Sequence, residues 1–190
     1  GTATEDGKAI NDMIDPFSYR SHLTVPKMIF IGTNDEYWTI DAIKFYYDKI
    51  PGKNLIHYVP NVGHNLGGGK QAFEALSAFF GTTITNKAYP LATWKVVPSN
   101  GNISFDVFPA TTDLIGATLW QTTSADRDFR NNLWLSRNIK LESLPDIRVM
   151  ISFPKKGFQA FYLDLKYKDP NGGTYTTSTR VYVTDAEKVF

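Results

Sequence analysis

The amino-acid sequence predicts an α/β segment followed by an all-β one. Two short uninterrupted apolar runs stand among helical spacings in the first half. The apolar period switches to 2 near residue 90, and a stretch containing Pro90 (82–91) lies at the change. The domains are therefore expected at 1–85 and 86–190, with that stretch as linker.

In chain order, Met28-Ile29-Phe30-Ile31 is introduced by Pro26 and closed by Gly32, the pattern of a parallel strand covered on both faces. Thr39 can act as an N-cap with Asp41 in the first turn. Ile40, Ile43, Tyr47 and Ile50 follow at helical spacing until Pro51-Gly52 stops them. Leu55-Ile56-His57-Tyr58-Val59 reads as a second strand, ended by Pro60. Beyond a glycine-rich loop, Phe73, Leu76, Phe79 and Phe80 mark a helix that Gly81 is expected to close. Strand, helix, strand is a crossover unit, which makes the two strands parallel neighbours.

The second half alternates. Trp94 and Val96, then Ile103, Phe105 and Val107, then Ile115, Ala117 and Leu119 share a face, as do Leu133 and Leu135. Val149, Ile151 and Phe153 follow, then Phe161, Leu163, Leu165 and Tyr167, and finally Thr179, Val181 and Val183. Asp169-Pro170-Asn171-Gly172-Gly173 is a hairpin turn between the last two runs. About seven short strands in about a hundred residues match immunoglobulin-like and fibronectin-like sandwiches. Without a Cys…Trp…Cys signature the fibronectin-like variety is favoured.

Composition removes several function classes. At 42% apolar and 14% aromatic the chain is no disordered tail. Twenty basic against nineteen acidic residues give +1, and the halves divide at residue 90 into −1 and +2. Neither half carries the basic excess that binding a phosphate backbone requires, so no nucleic-acid partner is expected. The absence of cysteine excludes disulfides, zinc–thiolate sites and thiol nucleophiles. No run approaches the ~18 apolar residues of a membrane span. Gly1 in place of Met reads as a tag-cleavage scar, so the chain is expected to be a piece of a longer protein.

The candidate site lies at two strand ends. Asp35 closes Gly32-Thr33-Asn34-Asp35 after the first run, and His64 closes Pro60-Asn61-Val62-Gly63-His64 after the second. Catalytic groups collect at the carboxyl ends of parallel strands. A carboxylate beside an imidazole fixes its tautomer and stabilises the imidazolium. A turn-forming Asp and a surface His are the plainer reading of each residue alone; their equivalent positions favour a catalytic pair.

Other motifs carry less. Gly67-Gly68-Gly69-Lys70 fails phosphate-loop spacing, with His64 at the first glycine position and Gln71 at the hydroxyl position. Asp126, Asp128 and Asn131 lack the glycine and distal glutamate of a calcium loop. No cofactor and no metal are expected. His57 reads as a packed strand residue and His22 as solvated. Trp94, Trp120 and Trp134 read as packing rather than a sugar platform. Asn102-Ile103-Ser104 is a glycosylation sequon only if the source is a secreting eukaryote.

Several motifs together resemble a known family. Ile14-Asp15-Pro16-Phe17-Ser18-Tyr19-Arg20, Pro26-Lys27-Met28-Ile29, Gly32-Thr33-Asn34-Asp35-Glu36 and Tyr58-Val59-Pro60-Asn61 are similar to the PhoPQ-activated pathogenicity-related protein family, over about residues 10–80. The resemblance implies the C-terminal portion of an α/β-hydrolase-like fold, usually exported, of poorly defined activity. Asp35 takes the acid position and His64 the base position. The expected fold class is thus the last two parallel strands and helices of such a fold (1–85), joined to a seven-stranded fibronectin/immunoglobulin-like β-sandwich (86–190).

One departure matters. Hydrolases of this kind place the nucleophile upstream, on a Gly-x-Ser-x-Gly elbow. None of the ten serines here has glycine at both flanking second positions. The nucleophile is therefore expected in the upstream part of the same protein, which becomes a required partner. The parent is then an esterase- or peptidase-like hydrolase, and this chain alone is inactive. The alternative is a non-catalytic exported or cell-surface interaction protein on a degenerate scaffold. An uncovered strand at 28–31 also predicts self-association through residues 10–60.

Overall fold

The computed structural model describes residues 4–111, 113–141 and 146–190. Thr4 caps helix α1 (Glu5–Ile14), its hydroxyl accepting from the Gly7 N–H at 3.1 Å. A 3₁₀ segment (Pro16–His22) follows, with the Asp15 carboxylate accepting from the Phe17 N–H. Strands β1 (Lys27–Gly32) and β2 (Asn54–Val59) then pair in parallel, with Met28 opposite Leu55 and Gly32 opposite Val59. Helix α2 (Lys70–Ile84) buries Ala72, Ala75 and Ala78, small residues that let it lie close to the sheet.

Eight strands follow: β3 (Ala92–Ser99), β4 (Asn102–Pro109), β5 (Leu114–Ser124), β6 (Leu135–Ile139), β7 (Ile147–Ser152), β8 (Phe158–Lys168), β9 (Thr174–Ser178) and β10 (Tyr182–Thr184). One sheet runs β1-β2-β9-β8-β5-β6 with β10 also on β8, and the other runs β3-β4-β7. Phe105 of β4 and Val149 of β7 pack with Leu119 of β5 and Leu163 of β8 in one buried cluster. Ile43, Ile56 and Tyr58 share a second cluster with Phe129, Trp134, Tyr162 and Val183.

This architecture overturns the expected fold class. Among the described residues the molecule is mostly β, with ten strands in one mixed and one antiparallel sheet and no α/β-hydrolase-like parallel core. Nor is there a self-contained seven-stranded fibronectin/immunoglobulin-like sandwich, because β1 and β2 extend one of its sheets. The physical reason is the inner edge of β2. Its backbone groups need partners, and β9 supplies them: Ile56 pairs with Ser178, the Tyr58 N–H donates to Ser178 Oγ at 3.0 Å, and His57 Nδ1 meets Thr176 O at 2.9 Å.

Local expectations are corrected too. Residues 39–50 form two 3₁₀ turns (Ala42–Phe45 and Tyr47–Lys49) instead of one helix. Thr39 provides no side-chain cap there, and Phe45, Tyr46 and Tyr47 sit in succession with low helix propensity. Gly81 does not close α2, which runs on to Ile84; a Cβ at Gly81 would lie 2.2 Å from the Asn171 amide, so this glycine serves a close approach. The face assigned at 133–135 is inverted: Leu133 and Leu135 are exposed, and Trp134 between them is buried.

At the junction of β8 and β9, Asp164 accepts from Ser178 Oγ (2.6 Å) and Trp120 Nε1 (2.8 Å). The residue keeps part of its surface open, yet the protein around its carboxylate strips solvent from it. That burial outweighs both hydrogen bonds and pushes its pKa up to about 7 from 3.8. Between those values the folded state holds a proton that the unfolded chain has released. Stability should therefore fall as pH rises from 4 to 7 through this residue. Urea titrations should show this slope in the native protein and its loss in Asp164→Asn.

Candidate active site

The parallel register brings the two predicted loops together. Past the end of β1, the Thr33 N–H donates to Val59 O and the Asn34 N–H to Val62 O, so the loop after β1 is stitched to the loop after β2. Thr33 Oγ1 accepts from the Asn61 N–H at 2.7 Å and donates to Asn34 Oδ1 at 2.8 Å. The close approach also depends on glycine. A Cβ on Gly32 would stand 2.2 Å from Gly63 O, and one on Gly63 would stand 2.6 Å from Glu36 Oε2.

Asp35 and His64 face each other there. Asp35 is 5% exposed, and its Oδ2 lies 2.8 Å from His64 Nδ1. Its Oδ1 accepts from the N–H groups of Tyr37 (2.8 Å) and Trp38 (3.2 Å). A carboxylate oxygen so placed requires Nδ1 to carry the proton, which leaves Nε2 as the open ring nitrogen. The imidazole is 55% exposed, with the edge of Tyr37 against it at 5.2 Å. Glu36 Oε2 accepts the His64 backbone N–H at 3.1 Å and holds the loop that presents the ring.

Burial of Asp35 favours its neutral form, but the hydrogen bonds from His64, Tyr37 and Trp38 outweigh it and hold its pKa below 3.8. A carboxylate whose pKa is lower when folded than unfolded stabilises the fold above its unfolded value. That contribution is lost as pH falls through the folded value. Acid unfolding of the native chain should therefore include a component below pH 3.8 that Asp35→Asn lacks, read from urea midpoints between pH 2 and 5.

Asn34 and Asn61 take roles at the site that their motifs do not reveal. Asn34 Nδ2 donates to the carbonyls of Arg130 (3.0 Å) and Asn132 (2.8 Å). Asn61, at φ 60°, exchanges two hydrogen bonds with the Trp134 backbone, at 2.7 and 3.0 Å. These two asparagines latch the loop between β5 and β6 onto both dyad loops. That loop forms the far wall of a cleft of about 560 Å³ beside Asp35. Asparagine after a strand is an ordinary turn residue, so nothing local marks these two.

The remaining candidates stand apart from the dyad. His57 is buried, and burial lowers its pKa against the bond to Thr176 O. His22 is exposed at the end of its 3₁₀ segment. Asp128 is tied up by Arg130 at 2.5 Å, and Asp126 accepts the Asp128 N–H. Among the described residues no group of three or more His, Asp or Glu side chains is arranged to hold a metal ion, and no helix is long and apolar enough to cross a membrane.

A family model for the PhoPQ-activated pathogenicity-related proteins matches residues 2–130, which takes in both dyad loops and the latched loop as far as Arg130. The chain is also 28% identical over 185 residues to autocrine proliferation repressor protein A of Dictyostelium discoideum. That alignment covers 82% of this chain and 36% of the relative, so the chain spans about a third of that protein's length.

Proposed function

The chain belongs to the PhoPQ-activated pathogenicity-related protein family, and from that premise we propose that it supplies the acid and base of a serine-hydrolase-like site in a longer protein. The observation that carries this reading is the 2.8 Å contact between Asp35 Oδ2 and His64 Nδ1 with Nε2 left open. In the proposed reaction a serine from the upstream part attacks an acyl carbonyl while His64 Nε2 takes its proton. The imidazolium then returns that proton to the leaving group, and water repeats the sequence on the acyl-enzyme. Asp35 holds the ring and balances its transient charge. By itself the chain has no nucleophile for this and should not turn over esters.

The upstream part has a natural place to join. β1 is the outermost strand of its sheet, and its backbone edge is open among the described residues. When that part is missing, the same edge is where self-association through residues 10–60 would occur. We propose that the parent protein is exported, a location with which the family match is consistent.

The test is to treat the longer protein with a fluorophosphonate, which labels activated serines. Labelling of one upstream serine, abolished by His64→Ala, is the expected result. No labelling, with another residue at the elbow position, would make the pair a relic. The second reading, a non-catalytic exported or cell-surface interaction protein, draws on the name of the relative, an autocrine proliferation repressor.

A further inference from the structure

The cleft beside Asp35 has a composition that the dyad does not account for. Its lining holds five carboxylates against three cations. All three cations already sit in salt bridges: Lys44 and Arg127 share Asp41 Oδ2, each at 2.7 Å, which leaves that group one positive charge in excess, and Arg130 pairs with Asp128. Glu36 and Asp126 form no salt bridge among the described residues; Glu36 accepts from the His64 N–H, and Asp126, which also acts electrostatically on Arg130, accepts from Ser124 Oγ and the Asp128 N–H. The cleft is therefore net negative.

Its rim is aromatic. Tyr37, Trp38 and Phe45 line the cleft and are 71%, 65% and 65% exposed. Three large rings this open in one concavity are far from the ordinary scatter of exposed apolar residues. Aromatic faces attract organic cations through the ring quadrupole, and neighbouring carboxylates add to that attraction. An anionic ligand would meet the carboxylates of Asp35, Glu36 and Asp126, which outnumber the one cationic charge left in excess at Asp41.

We propose that this cleft binds an organic cation, a guanidinium or substituted ammonium group, carried by the substrate whose acyl bond lies at His64. The carboxylates attract the charge and Trp38 stacks on it, while the latched loop from Asp126 to Arg130 sets the width. The inference rests on the hydrolase reading for the word substrate, but not for the binding itself. The group can sit on a peptide side chain or on a small non-peptide acyl substrate, and the probes below separate the two.

The experiment is direct binding to the 190-residue chain, followed by Trp fluorescence and by NMR shifts of the His64 ring. The probes are acetyl-arginine amide, benzyltrimethylammonium, neutral acetyl-citrulline amide and anionic acetyl-glutamate amide. At least one cationic probe should bind about fivefold or more tightly than the neutral and anionic ones. Trp38→Ala and Asp126→Asn, both at exposed positions, should each weaken it by a similar factor, with unchanged circular dichroism. Tighter acetyl-arginine amide binding points to a peptide, and tighter benzyltrimethylammonium binding to a small non-peptide substrate that carries a substituted ammonium group. Equal binding of all four probes, binding insensitive to both variants, or no binding at all would overturn the proposal. Cation binding without serine labelling of the longer protein would sink the hydrolase reading alone; labelling without cation preference would sink only this inference.

Discussion

On the proposed hydrolase reading, Asp35→Asn in the longer protein should lower hydrolysis on the order of 10⁴-fold while leaving the fold intact, the loss expected when the acid of such a triad becomes neutral. The reason is tautomeric. Asp35 Oδ2 accepts from His64 Nδ1, and its other oxygen is already committed to the Tyr37 and Trp38 N–H groups. An amide keeps those two bonds through its oxygen and turns its NH₂ toward Nδ1. The ring must then protonate Nε2, the atom that has to accept the serine proton. His64→Ala should cost at least as much, and the double variant little more than either alone, since the groups act as a unit. Steady-state rates on an activated ester would read this. Independent, multiplying losses would show that the two residues do not work on one proton.

Gly32→Ala should destabilise the chain by about 3 kcal/mol or more and displace His64. The added Cβ would meet Gly63 O at 2.2 Å, Val62 O at 2.6 Å and the Gly63 carbonyl carbon at 2.8 Å. All three are backbone atoms of the loop that ends in His64, so no side chain can swing aside. Relief requires the two strand ends to part. That would break the bond from the Asn34 N–H to Val62 O and carry the imidazole away from Asp35. Denaturant unfolding should show the lost stability, and the His64 ring resonances should move even under native conditions. Near-native stability with an unshifted ring would mean that the two loops are not packed as described.

The strands after residue 90 were legible because alternation is local. Phe105, Leu119, Ile151 and Leu163 were read as one face and share one core. Where a side chain's neighbours in sequence mislead, so did the reading. Trp134 is buried between two exposed leucines because Asn61 holds its backbone against the dyad loop, a force that no pattern at 133–135 records. The aromatic run at 45–47 departs from one helical face for the same reason: Phe45 borders the cleft and Tyr47 packs against Trp94, so tertiary partners, not helical spacing, chose where these rings went.

The sequence by itself determined that β1 and β2 are parallel neighbours and that Asp35 and His64 emerge at the same end of them. Strand length, crossover handedness and the position of a residue just past a strand are all written within a few dozen positions. Only the tertiary structure decided what lies beside that pair. β2 takes β9 as its other neighbour, and Asn34 reaches a carbonyl 98 residues away to close one wall of the cleft. Backbone donors and acceptors are identical at every residue. Their pairing across such distances is therefore settled by which strands can pack on a common core, and not by any signal that the pairing residues carry.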